Sequence, residues 1–210
     1  MAATYTELQA EVAEWLDRTD LTGRIPTFVA LAEAAMNRAL RVRRMVARST
    51  ASISAAFSAT PADYLEAKAV TMTDGTTYWE LEPAPERTIA QYAIGAQTGR
   101  PLFYSLVGTE FQYYPAPSAT YTATLTYYQK IPSLASNATN WLLTNHPDAY
   151  LYGSLLQAAP YLRDNDALQV FSAGYGAALQ AIRDAEKTPV GRLRADPALA
   201  GRGSYNIYTD

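Results

Sequence analysis

The stretch from Tyr127 to Tyr161 limits what this chain can fold into more than any other. It leaves a strand-forming run at Tyr127-Tyr128-Gln129-Lys130-Ile131, crosses a polar loop, and enters a helix that is apolar on nearly every side. Tyr150, Leu151, Tyr152, Leu155 and Leu156 leave that helix little polar face, which places it at the centre of a core. It opens near Asn145 to Pro147 and reaches at least Ala159, where Pro160 is expected to kink or end it. A chain that passes this directly from strand to buried helix has to pack its two kinds of structure against each other.

Three further helices are expected around it. Thr4 and Thr6 are candidate N-caps for the first. Its apolar positions Tyr5, Leu8, Val12, Trp15 and Leu16 form one stripe, while Glu7, Glu11 and Glu14 lie on another face. Asp20 to Gly23 are expected to break it, and Pro26 suits the first turn of the second helix. Ile25, Val29, Ala32, Met36 and Leu40 share one side of that helix, which leads into an arginine cluster of Arg38, Arg41, Arg43, Arg44 and Arg48. The last helix starts after Asp164 or Asn165 and stops before Pro189. Leu168, Phe171, Tyr175, Leu179 and Ile182 fall on its stripe. Gly174 and Gly176 lower its helix propensity and leave room for close approach by another helix or subunit.

Between these helices the pattern is β. The run from Ala51 to Ala59 alternates, and Asp74-Gly75 sits between two strand-like runs, a strong hairpin signal. Gly108 divides a second such pair. In the run from Tyr121 to Ile131, Tyr121, Ala123, Leu125, Tyr127 and Gln129 share one face, and the threonines between them take the wetter one. A short helix is expected near Pro85 to Ile94. The fold class that follows is α+β: a discontinuous helical bundle of two N-terminal and two C-terminal helices (1–47 and 140–187), a central antiparallel β-rich insertion (48–139), and an extended C-terminal tail (188–210).

Composition narrows the chemistry. Among 210 residues there is no cysteine and one histidine, so thiolate sites, disulfides and paired-histidine metal sites are excluded. No apolar run approaches the roughly 20 residues needed to span a bilayer, and no signal peptide or membrane contact is expected. A net charge of −3 argues against broad, tight binding of nucleic acid. His146-Pro147-Asp148 spells the tripeptide of J-domain co-chaperones, but it opens a helix here and reads as an N-terminal turn. A Ser-His-Asp triad would have to use His146, with Ser133, Ser136 or Ser154 nearby in sequence, and no GxSxG elbow is present. Glu80, Glu82, Glu86 and Glu110 are the carboxylates that a glycosidase or lytic enzyme would have to draw on. No cofactor and no metal is expected.

The charge pattern permits assembly. An acidic stripe (Glu7, Glu11, Glu14) and a basic cluster (Arg41, Arg43, Arg44) on one subunit allow a head-to-tail contact that closes into a ring. Each also has a simpler reading, as a solvated helix face and as cations at a helix C-terminus. The tail carries Val190, Leu193, Leu199, Tyr205, Ile207 and Tyr208. Burial of those few groups does not offset the entropy of ordering residues 188–210. An ordered tail therefore needs backbone hydrogen bonds as well, most simply as a strand added to a neighbour's sheet edge, with Ser204 to Tyr208 as the best stretch. Arg192, Arg194 and Arg202 would anchor it to carboxylates.

Several of these residues together resemble the head-to-tail adaptor (head completion, or connector) proteins of tailed bacteriophages. The resemblance is carried by the strand ending Tyr127-Tyr128-Gln129-Lys130-Ile131-Pro132, by Asn140-Trp141-Leu142-Leu143, by Pro147-Asp148-Ala149-Tyr150-Leu151-Tyr152-Gly153, and by the order of parts along the chain. It implies a non-enzymatic virion protein in the neck, a ring commonly of twelve subunits docked under the portal protein. Such a ring extends the DNA channel, touches passing DNA transiently and presents a surface to the next tail or nozzle component. It also implies that the tail, through Arg192, Leu193, Arg194, Arg202, Tyr205, Ile207 and Tyr208, reaches the portal or a neighbouring subunit. Glu7, Glu11, Glu14, Arg41, Arg43, Arg44, Gly174 and Gly176 are then the candidates for the ring interface. Two other classes remain open on the residues alone: a cell-wall-degrading or carbohydrate-active enzyme using Glu80, Glu82 or Glu110, and a tyrosine-rich module that binds glycans or a protein strand.

Overall fold

The structure, a computed structural model, describes residues 2–18, 20–92, 97–162 and 165–187. Helix α1 (Tyr5–Leu16) starts at Thr4, whose hydroxyl accepts from the Glu7 N–H while the Glu7 carboxylate accepts from the Thr4 N–H. It ends sooner than the sequence suggests. Asp17 takes a left-handed conformation (φ 48°) and donates its N–H to the Glu14 carbonyl, a stop that the short polar side chain of aspartate tolerates. Helix α2 (Ile25–Ala39) has Pro26 in its first turn and buries Ile25, Val29, Ala32 and Met36.

The β region opens after a short 3-10 turn at Arg43–Met45. The alternating run splits into β1 (Val46–Ile53) and β2 (Phe57–Ala59). Strands β3 (Tyr64–Thr73) and β4 (Tyr78–Pro83) form the expected hairpin, in which the Asp74 carboxylate accepts from the Thr76 and Thr77 N–H groups and Gly75 has φ 95°. After α3 (Glu86–Tyr92) come β5 (Thr98–Gly99), β6 (Phe103–Val107), β7 (Glu110–Tyr114), β8 (Ala116–Pro117) and β9 (Tyr121–Gln129). Gly108, at φ 63°, turns the β6–β7 hairpin.

The large sheet runs β1-β9-β3-β4-β6-β7-β2, and β5 pairs with β8 apart from it. An entirely antiparallel insertion is not what forms. β4 and β6 run parallel because α3 carries the chain back between them, and β5–β8 is parallel as well. The long central strands pair in the expected antiparallel sense, β9 between β1 and β3. Tyr121, Ala123, Leu125 and Tyr127 of β9 are buried on one face, as their alternation predicts.

The closing segment holds α4 (Trp141–Asn145), α5 (Pro147–Leu162) and α6 (Asn165–Ala185). Helix α4 lies where the sequence suggests only loop, and the Asn140 side chain caps it by accepting from the Leu143 N–H. Pro160 does not end α5, which continues to Leu162. Only two residues follow the proline, so the hydrogen bond it removes belongs to the last turn, where packing on α6 outweighs the loss. Helix α5 touches α1, α2, α4 and α6, and its Tyr150 and Leu155 are fully buried.

Apolar packing forms two clusters. One joins the helices with Met45, Ile131 and Leu134. The other lies inside the sheet, around Val70, Met72, Leu81, Phe111 and Leu125.

Candidate functional site

The loop from Ile131 to Asn140 links sheet to helices, and two polar residues of α2 hold it. Asn37 accepts from the Ile131 N–H at 2.8 Å. Four residues earlier and on the same helix face, the buried Glu33 carboxylate accepts from the Leu134 N–H (2.8 Å), the Ser133 hydroxyl (2.8 Å) and the Tyr150 hydroxyl (3.2 Å). Asn140 completes the network by donating to the Pro132 carbonyl and the Tyr150 oxygen, each at 2.7 Å. Burial pushes the Tyr150 phenol far above its usual range, the Asn140 bond opposes that shift, and the Glu33 charge adds to it. No buried side-chain polar atom of this network lacks a partner, so its chemistry is that of a clamp. At the sheet end of the same connection, burial and then the bond to Asp63 push the Tyr127 phenol up to about 12.

Three arginines beyond α2, Arg41, Arg43 and Arg44, are tied to carboxylates of the same chain. Arg38 alone lies in the last turn of that helix. Arg41 meets Glu66 at 2.8 Å and reaches back to the Asn37 and Leu40 carbonyls. Arg44 and Arg43 approach Glu186, just past α6, at 3.1 and 3.6 Å, the longer distance being an ion pair without a hydrogen bond. Arg183 of α6 donates to the Ala39 carbonyl. The last carbonyls of α2 are therefore served by side chains that return to them from outside the helix. Arg43 keeps 61% of its side-chain exposure and still faces solvent.

The acidic stripe divides by task. Glu7 completes the α1 cap, and Glu11 accepts from the Ala2 N–H at 3.2 Å. Glu14 lies on the exposed face. The two glycines of α6 also differ. A Cβ at Gly174 would sit 3.0 Å from the Tyr152 ring of α5, whereas one at Gly176 would meet nothing within 4 Å. Gly153 of α5, which the sequence reading passed over, has Ala32 of α2 and Tyr175 of α6 at 3.2 and 3.1 Å from such a position. On the helical surface, Trp15, Leu31, Tyr161 and Val170 are exposed large apolar side chains.

The clearest cavity lies in the β region and measures about 220 Å³. Ser49, Ala51 and Ile53 of β1 line one side, Ser58 and Thr60 line another, and Phe111 is among the apolar residues between them. It is lined by apolar and hydroxyl side chains and by no carboxylate. Glu80 and Glu82 on β4, Glu86 on α3 and Glu110 on β7 are all exposed and lie outside this lining. His146 forms the C-cap of α4, its backbone N–H bonded to the Leu142 carbonyl. Among the described residues no cluster of His, Asp and Glu is placed to hold a metal ion, and no helix is long and apolar enough to cross a membrane. Arg192, Leu193, Arg194, Arg202, Tyr205, Ile207 and Tyr208 lie outside the described residues.

A scan of family models matches residues 3–196 to the SU10 adaptor protein family, leaving out only two residues at the start and fourteen at the end. This chain belongs to the SU10 adaptor protein family. The strand, loop and helix that carry the sequence resemblance to phage head-to-tail adaptors all fall inside the matched span, as do the clamp of Glu33, Asn37 and Asn140 and the arginine–Glu186 pairs. SU10 adaptors are structural proteins of bacteriophages, in keeping with the expected class. No curated protein matches the chain. Sequence reasoning missed Glu33 although a signal was there: an acidic residue one turn from Val29 and from Asn37, on a helix whose neighbouring positions Ala32 and Met36 are core.

Proposed function

We propose that this SU10 adaptor is a non-enzymatic neck protein that assembles as a closed ring beneath the portal, twelve copies in the reading given by the resemblance. The ring extends the DNA channel and offers a surface to the next tail or nozzle component. The helical part (1–47 and 140–187) and the β-rich insertion (48–139) serve as its two working units, with the tail (188–210) reaching the portal or a neighbouring copy. The observation that carries this reading is the family match along nearly the whole chain. The acidic character supports it, because DNA must slide past the ring without being held at its phosphates.

The Glu33 clamp supports the same reading from the mechanical side. A neck component bears load between head and tail, and here neutral hydrogen bonds made by Asn37 and Asn140 hold the two ends of the sheet-to-helix connection, with a charge-assisted bond from the Leu134 N–H to the Glu33 carboxylate between them. Light scattering of the purified protein, alone and mixed with portal rings of the same phage, tests the function. The expected result is association in near one-to-one subunit ratio with the portal. A protein that ignores the portal at physiological salt, with its tail intact, overturns the reading.

A further inference from the structure

The two edges of the seven-stranded sheet belong to strands that are neighbours in sequence. β1 pairs only with β9 and β2 only with β7, so each leaves one edge without a strand partner among the described residues. Both edges line the same 220 Å³ cavity. The sheet therefore curls so that its two edges face a common cavity, with a slot between β1 and β2. Of the β1 residues that line it, Ile53 is buried and Ser49 half-buried, and the slot is open at Ala51 between them. Ala51, whose register partner Ala123 is buried, is itself exposed.

An unpaired edge over an apolar floor is an acceptor for an extended segment. The cavity is smaller than the roughly 300–1,000 Å³ of typical small-molecule sites, and suits one or two side chains entering from a strand. Its floor, which includes Val70, Phe111 and Leu125, calls for apolar side chains at alternate positions. The hydroxyls of Ser49, Ser58 and Thr60 can meet a phenol. No charged side chain lines it.

One segment of this chain outside the described residues has that pattern. Ser204-Tyr205-Asn206-Ile207-Tyr208 carries no charge, and if extended it would put Tyr205 and Ile207 on one face and Ser204, Asn206 and Tyr208 on the other. Residues 188–203 lie between the end of the described chain and this segment. Fully extended at about 3.3–3.6 Å per residue, they give the segment a reach of roughly 50 Å from the end of α6.

We infer that the slot between β1 and β2 receives residues 204–208 of a second copy of this chain, as a strand added between the two edges. Tyr205 and Ile207 fill the cavity, and the backbone pairs with both open edges. The inference rests on the reading that copies associate in a ring, and it adds which surface of one copy takes which segment of the next.

The absence of native cysteine makes the test direct. A full-length A51C/I207C variant is prepared in normal and in nitrogen-15 form, mixed in equal amounts, assembled on portal rings and oxidised. Light scattering reports whether the ring has formed, and mass spectrometry reads which peptides are joined. The expected result is a disulfide between residues 51 and 207 that joins light and heavy chains, several-fold above a T122C/I207C control, because Thr122 lies exposed on β9. A ring whose thiols stay free, that links only within one chain, or that links equally at Thr122 overturns the inference and leaves the ring reading standing. Failure to form a ring overturns both.

Discussion

Glu33 is a carboxylate where the spacing of α2 leads one to expect a core side chain, and it stays because three donors converge on it. The Leu134 N–H has its partner there, and so does the Tyr150 hydroxyl. Glu33→Ala removes the acceptor and leaves that buried amide unpaired, a loss of about 1–3 kcal/mol. It should appear as a lower urea midpoint with the slope unchanged. Tyr150→Phe deletes one hydroxyl but leaves Asn140 bonded to Pro132, so its effect is expected to be smaller, about 1 kcal/mol. An alanine variant within about 0.5 kcal/mol of the parent would mean that the clamp is not what holds the loop. This residue marks how far the sequence could be read. Apolar periodicity reports which face of α2 is buried, but a single buried acid among apolar neighbours reveals its role only when the loop that donates to it is in place.

Among the elements, the helices were legible and the sheet order was not, for reasons particular strands make clear. Alternation in Tyr121–Gln129 gives the buried face of β9 directly, and Asp74-Gly75 gives the β3–β4 hairpin. Nothing local says that β9 lies between β1 and β3, since those pairings join residues far apart in sequence and depend on which apolar faces must meet. The parallel β4–β6 ladder depends likewise on where α3 returns the chain. Helix α4 was hidden because five residues are too few to show a period. Glycine composition within α5 and α6 was visible, but its meaning was not, because close approach is a property of pairs. Gly153→Ala is expected to destabilise by about 1–3 kcal/mol, since its methyl would press on Ala32 and Tyr175, which come from two different helices. Gly176→Ala meets open space and should gain about 0.5–1 kcal/mol from helix propensity. Denaturant unfolding of the two variants side by side reads the opposite signs, and equal signs would refute the assigned packing.

For the molecule as a whole, a closed ring requires each copy to carry two different complementary surfaces. The acidic face of α1 and the basic cluster after α2 were candidates from the sequence, and the structure assigns several of those charges internal tasks. Glu7 and Glu11 hold the N-terminal backbone, while Arg41 pairs with Glu66 and Arg44 with Glu186. Glu14 and the exposed part of Arg43 are the members best placed to face outward. A single exposed ion pair contributes only about 0–1 kcal/mol. In a ring, however, the same pair recurs at every interface, and reversing its sign replaces attraction by repulsion at each of them. Glu14→Arg should therefore lower the mass of the portal-bound assembly in light scattering, with Glu14→Gln intermediate. The stability of the single chain should stay within about 0.5 kcal/mol, because Glu14 is exposed on its helix. Salt provides the cross-check. At 1 M the screening length falls to about 3 Å, so the parent ring should weaken toward the behaviour of the reversed variant. A Glu14→Arg protein that assembles like the parent at low and at high salt would remove this stripe from the interface. The contact between copies would then fall to the exposed apolar side chains of the helical surface, Trp15, Leu31, Tyr161 and Val170, whose association strengthens with salting-out ions where an ionic contact weakens.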